Sequence, residues 1–202
     1  MSATPRKKRL SRAEAKAETR KALLDAAGAV FAEHGFHGAS IDMVADAAGY
    51  TKGAVYANFS SKDELYLALL DAQLSTDHGG LEQLIESGTP IEALREEIAE
   101  KFTEEMERTR QWALLTLEFF THALRDETIR EKLAARIQHA REGYMQSLQK
   151  HVEVTGKKLS MPAEQAAAAF LAFENGLSVF WLLDPQPVWA DLYPAMLQKM
   201  LE

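Results

Sequence analysis

Three consecutive residues, Lys52, Gly53 and Ala54, put a cationic donor, a bare backbone and a methyl group at one point of the chain. That set suits the edge of a DNA base pair. A lysine ammonium donates to guanine O6 and N7, an alanine methyl packs on the thymine methyl, and glycine lets the backbone come close. Asn58 follows one helical turn later, where an amide can pair with adenine or hold a phosphate. Little else in the chain offers chemistry. There is no cysteine, P-loop, dinucleotide fingerprint, nucleophile elbow or H-E-x-x-H. The six histidines (His34, His37, His78, His122, His139 and His151) have no metal-ligating pattern, so we expect no enzyme, metal or cofactor.

To reach a groove, these residues must be presented by a helix. Ser40 can cap a short helix with Ile41, Val44, Ala45 and Ala48 at helical spacing. Gly49 interrupts it, and Thr51 opens a second helix with Val55 and Phe59 one turn apart. Two short helices about a glycine turn form a helix-turn-helix, whose second helix enters the major groove. Many helical hairpins share that spacing.

The full run AAGYTKGAVYANFSSKDEL is far more specific. It resembles the DNA-binding signature of TetR-family transcriptional repressors, in which a tyrosine, a phenylalanine three residues on and a following lysine close the recognition helix. Here those residues are Tyr56, Phe59 and Lys62. The resemblance covers Ala13–Leu70 and implies phosphate contacts from Ser40, Thr51, Tyr56 and Lys62. Ser40 and Thr51 also sit at helix starts, which suit anions. Tyr56 is offset from the buried Val55–Phe59 row, which turns its hydroxyl outward. Lys62 starts the next helix, where pairing with nearby acids is the alternative. With Gly53 and Ala54 offering few polar base contacts, specificity leans on DNA shape.

A net charge of −7 argues against nucleic acid until its distribution is read. Residues 1–62 hold 10 Lys/Arg against 6 Asp/Glu, whereas residues 63–202 hold 13 against 24. A basic third on an acidic body attracts phosphate locally and orients the approach. The chain is 47% hydrophobic and 26% charged, as globular proteins are, and its basic N-terminus lacks the apolar stretch of a signal peptide. We expect a cytoplasmic protein.

Helical spacing recurs almost everywhere and strand alternation nowhere. The expected fold is all-α with about nine helices. A flexible basic tail (1–10) precedes a three-helix DNA-binding domain (11–62) and a helical effector-binding and dimerisation domain (63–202). The first helix buries Leu23, Ala27, Val30 and Phe31 and ends at Gly35, with Phe36 packing back on Phe31 as in a Schellman cap. Ser61 and Glu64 form a capping box for a fourth helix carrying Leu65, Ala68, Leu69 and Ala72. A short piece follows at Leu81–Glu86. Thr89-Pro90-Ile91-Glu92 starts the helix bearing Leu94, Ile98, Phe102 and Met106. Trp112–Leu124 is mostly apolar. Asp126 caps a helix with the stripe Ile129, Leu133, Ile137, Ala140, Tyr144 and Leu148, which stops near Gly156. Another runs from Pro162 to Asp184, and the last covers Val188 to Glu202, with Asp191 as a possible cap before Pro194.

For the acidic part, the family resemblance implies a homodimer and a small-molecule effector that weakens binding to a palindromic operator. The stripe Ala166, Ala169, Phe170, Phe173, Leu177 and Trp181, with Trp189, Leu192, Met196 and Met200, fits a four-helix dimer interface. A purely internal core is the alternative. Length alone would let Ala166–Leu183 span a membrane, but Glu174 and Asn175 at its centre are costly in lipid, so no membrane is expected. Phe102, Met106, Trp112, Phe119, Tyr144 and Phe173 are candidates to line an effector pocket with Glu118, His122 and Glu174. For each aromatic alone, ordinary core is the commoner reading. A carboxylate within an apolar run needs a partner, either internal (His122 for Glu118) or a cationic ligand.

Overall fold

The computed structural model describes residues 11–72, 89 and 91–201. The tail at 1–10 and the expected piece at Leu81–Glu86 lie outside them. Two compact units emerge, dividing between Leu69 and Leu70. That is seven residues beyond the expected boundary. The reason is that Leu65, Tyr66, Leu67 and Leu69 are buried, and the Tyr66 ring meets Phe31 and Phe36 edge-on at 5.7 and 5.6 Å.

In the N-terminal unit, α1 (Arg12–Gly38) opens on a capping box. Ser11 Oγ accepts from the Glu14 N–H, and the Glu14 carboxylate accepts from the Ser11 N–H at 2.7 Å. Its expected stripe is buried. At Gly35 (φ 69°, ψ 172°) the helix kinks, and Phe36 stacks on Phe31 at 6.0 Å. The ψ value differs from a Schellman cap, because the chain leaves in an extended direction to reach the next helix. Then come α2 (Ile41–Ala48), α3 (Lys52–Tyr56) and α4 (residues 62–72). Ser61 Oγ caps Glu64 N at 3.1 Å, while the Glu64 carboxylate accepts from the N–H and hydroxyl of Ser60.

The C-terminal unit contains a 3₁₀ turn (Ile91–Leu94), α5 (Arg95–Arg108), α6 (Arg110–Ala123), α7 (Glu127–Thr155), α8 (Ala163–Leu183) and α9 (Pro187–Met200). Among the described residues, the sole extended pairing is an antiparallel bridge between Leu159 and Leu201. The fold is all-α, with nine α-helices among the described residues. Three local expectations need correction. The turn at Ile91–Leu94 moves the start of the α-helix beyond the Thr89 cap to Arg95. Ile137 is exposed, since the buried row of α7 skips from Leu133 to Ala140. Finally, α9 begins with Pro187 in its first turn, so Asp191 is no cap and Pro194 lies buried inside the helix.

Two apolar clusters hold this unit together. One joins Ile91, Ile98, Tyr144, Leu148, Phe170, Leu197 and Met200, and the other joins Phe102, Leu177, Trp181 and Ala190. A fully buried side chain of this size stabilises by roughly 1.5–3 kcal/mol. Helix α8 supplies both clusters, yet only 28% of its most apolar stretch is buried. An apolar face is left outward.

On α7, His151 is 4% exposed and neither ring nitrogen has a hydrogen-bond partner among the described residues. Burial, with help from the nearby Lys157 charge, depresses its pKa. The unfolded chain, with an ordinary histidine near 6.5, therefore binds the proton first as pH falls. Stability is full above about pH 6.5 and declines below it, toward the depressed native pKa. Melting curves at pH 7.5 and 5.5 should show a lower melting temperature in acid, and His151→Leu should shrink the difference. An unchanged difference in the variant would mean that other groups carry the acid sensitivity.

Candidate nucleic-acid interface

The helix-turn-helix is built by its caps. Ser40 Oγ accepts from Met43 N and Thr51 Oγ1 from Ala54 N, each at 3.2 Å. Each hydroxyl keeps a proton to donate outward. Between the helices, Gly49 (φ 71°, ψ 27°) takes the left-handed conformation that side-chain-bearing residues avoid. Its N–H bonds back to Ala45 and Asp46, which turns α3 away from α2. Val44, Ala45, Val55 and Phe59 are buried beneath.

On the outer side, Thr51, Lys52 and Gly53 are exposed, Ala54 is half-buried and Tyr56 is 49% exposed. A Cβ at Gly53 would meet nothing nearer than Thr51 Oγ1 at 3.7 Å. Among the described residues nothing requires glycine there. Lys52 Nζ is 2.9 Å from Asp42 Oδ2, and this hydrogen bond raises the lysine pKa. Asp42 is a residue that sequence reasoning missed, because its ten-residue separation from Lys52 has no helical meaning.

Two expected DNA contacts turn inward instead. Asn58 is half-buried, its amide donates to the Ala54 carbonyl at 2.9 Å, and its Oδ1 is buried without a partner among the described residues. The reason is that α3 ends at Tyr56, so Asn58 and Phe59 lie in the turn after it. Lys62 Nζ donates to the Phe36 and Ala39 carbonyls at 2.8 and 3.1 Å and lies 4.5 Å above the Phe36 ring. It ties the end of α1 to the entry of α2. Arg20, also missed from the sequence, works similarly. Its guanidinium lies 4.2 Å over Phe59 and donates to the Asn58 carbonyl at 2.9 Å.

In the C-terminal unit, part of the candidate effector set converges. The Glu174 carboxylate accepts from the Tyr193 hydroxyl at 2.6 Å and from the Tyr144 hydroxyl. Tyr193 stacks on Phe102 at 5.2 Å and lies near Phe170 and Phe173, and Met106 packs on the same cluster. Tyr193 was missed, although it shares the helical row of Trp189, Met196 and Met200. On α6, Phe119 is buried with His122 at 5.8 Å, while Trp112 and Glu118 are half-buried.

Of the residues expected at a dimer surface, Ala166, Phe170, Leu177 and Trp181 are buried within the unit, as is Met200. Ala169, Phe173, Trp189 and Met196 are half-buried, and Leu192 is 41% exposed. The outward side of α8 and α9 carries Ala172, Phe180, Leu183, Val188 and Leu192.

Comparison with known proteins establishes the family. Residues 23–69 match the model for bacterial regulatory proteins of the tetR family, and residues 90–202 match that for the C-terminal domain of BetI-type transcriptional repressors. The chain belongs to the TetR family and is a DNA-binding transcriptional regulator. It is 28% identical over 174 residues to the transcriptional activator FasR of Mycolicibacterium smegmatis, covering 86% of this chain and 77% of that protein. It is 29% identical over 176 residues to the transcriptional regulator TtgR of Pseudomonas putida, covering 85% and 83%. The structure resembles NalD, the secondary repressor of the MexAB-OprM multidrug efflux pump in Pseudomonas aeruginosa. That match has a TM-score of 0.59 at 25% identity and covers 94% of this chain and 98% of NalD.

Proposed function

We infer that this chain is a cytoplasmic, homodimeric repressor that binds a two-fold symmetric operator and is released by a small molecule. The observation that carries the reading is the exposed start of α3. There Lys52, Gly53 and Ala54 offer a donor, a bare backbone and a methyl group suited to base edges, flanked by Ser40, Thr51 and Tyr56 for phosphates. Lys62 supports them by fixing the junction before Ser40. Selection from a random duplex pool should return a palindromic motif whose affinity falls steeply with salt, as counterion release requires. A folded protein returning no motif would sink the reading.

For the effector, the cluster around Glu174 supports a mainly apolar molecule carrying a positive charge. Aromatic faces attract a cation, and a carboxylate pairs with it. Release follows only if the ligand prefers the state that binds DNA poorly. Screening should find a cation that raises the melting temperature, by mass action, and frees DNA. Glu174→Gln should then weaken that cation about tenfold or more, while a neutral analogue binds as before. Equal binding of the cation by the variant would remove Glu174 as counter-ion, and Glu118→Gln would then test the other carboxylate.

A further inference from the structure

Lys52 is not presented to solvent as a simple cation. Its ammonium donates to Asp42 Oδ2 at 2.9 Å, across the turn between α2 and α3, with 54% of the lysine side chain and 61% of the aspartate side chain exposed. Stability does not explain the pair, because an ion pair between two largely exposed side chains contributes little in water. Its position is more telling. A carboxylate beside Ser40, Thr51 and Lys52, on the face that approaches DNA, should repel phosphates and weaken the site. We propose that Asp42 is a specificity-determining residue, which withholds Lys52 from the DNA backbone and releases its reading capacity only at a guanine.

The chemistry is a count of donors. A lysine ammonium has three N–H groups. One is held by Asp42, and the other two can still reach the adjacent O6 and N7 of a guanine. A single phosphate offers less in return, since it must compete with Asp42 for the cation. The neutral Lys52–Asp42 pair therefore adds little to sequence-independent binding, whereas an unpaired lysine would neutralise a phosphate at any sequence. Discrimination comes from lowering the affinity for the wrong DNA. This inference rests on α3 being the element that reads bases.

The test is a double-mutant comparison in the full chain, using the selected operator and a random duplex of equal length. Asp42→Asn should raise affinity for the random duplex about three- to tenfold and steepen its salt slope by about one unit. Operator affinity should change less, so the operator-to-random ratio should fall. In a Lys52→Met background, Asp42→Asn should alter the ratio by less than about twofold, because Asp42 acts through the lysine. Circular dichroism melts confirm that all four proteins are folded. An unchanged ratio for Asp42→Asn overturns the proposal, and so does an equal change in both backgrounds, which would mean simple charge repulsion. A loss of operator affinity alone would instead assign Asp42 to a direct cytosine contact and also overturn it. If Lys52→Met by itself leaves base preference intact, α3 is not the reading element and both readings fall together.

Discussion

Phe59→Ala is expected to unfold the N-terminal unit, at a cost of about 3–5 kcal/mol. The ring is 1% exposed, carries the Arg20 guanidinium on its face, and follows a backbone bond from its own N–H to Val55 at 2.9 Å. Its removal leaves a cavity beneath α3 and frees Arg20, which also holds the Asn58 carbonyl. A unit of this size has little stability to spare, so DNA binding should vanish with the fold. Chemical denaturation followed by fluorescence or circular dichroism measures the loss. A variant less than about 1 kcal/mol destabilised would show that the ring is not central to the core of this unit.

A charge on the outward face of α8 should have the other large effect. Ala172 is exposed, on the side of the helix away from the buried Phe170, Leu177 and Trp181. Among the described residues, a Cβ at nearby Gly176 would meet nothing within 4 Å, which leaves room on this face for a second helix. Ala172→Arg should yield folded monomers, and operator affinity should fall by about a hundredfold or more as the two reading helices lose their linkage. Trp181→Arg, by contrast, should unfold the unit, since that side chain is only 7% exposed in the protomer's own core. Sedimentation giving an intact dimer for Ala172→Arg would move the interface elsewhere.

The helix caps could be read from the sequence because capping is local chemistry. Ser40, Thr51, Gly49, Asp126 and Gly156 all sit where residue type alone put them. Buried rows were equally legible in α1 and most of α7, where spacing and core coincide. Tertiary contacts were not. The Lys52–Asp42 pair, the Arg20–Phe59 stack and the hold of Lys62 on two carbonyls join residues whose separations carry no periodic signal. For α8 the periodicity misled. The helix is apolar on nearly all sides, so sequence could not tell the face buried in the protomer from the one left outward. Asn58 points inward for a simpler reason, since α3 stops two residues before it.

Base-resolved selection with the wild type, Lys52→Ala and Gly53→Ala measures the reading role of α3 most directly. The wild type should return a palindromic motif. Lys52→Ala should lose preference at one position per half-site, at a cost of about 1–3 kcal/mol. Gly53→Ala should fold normally, because its Cβ fits within the protein, yet bind operator more weakly. The same motif and affinity in all three proteins would contradict the assignment of α3 as the helix that reads DNA.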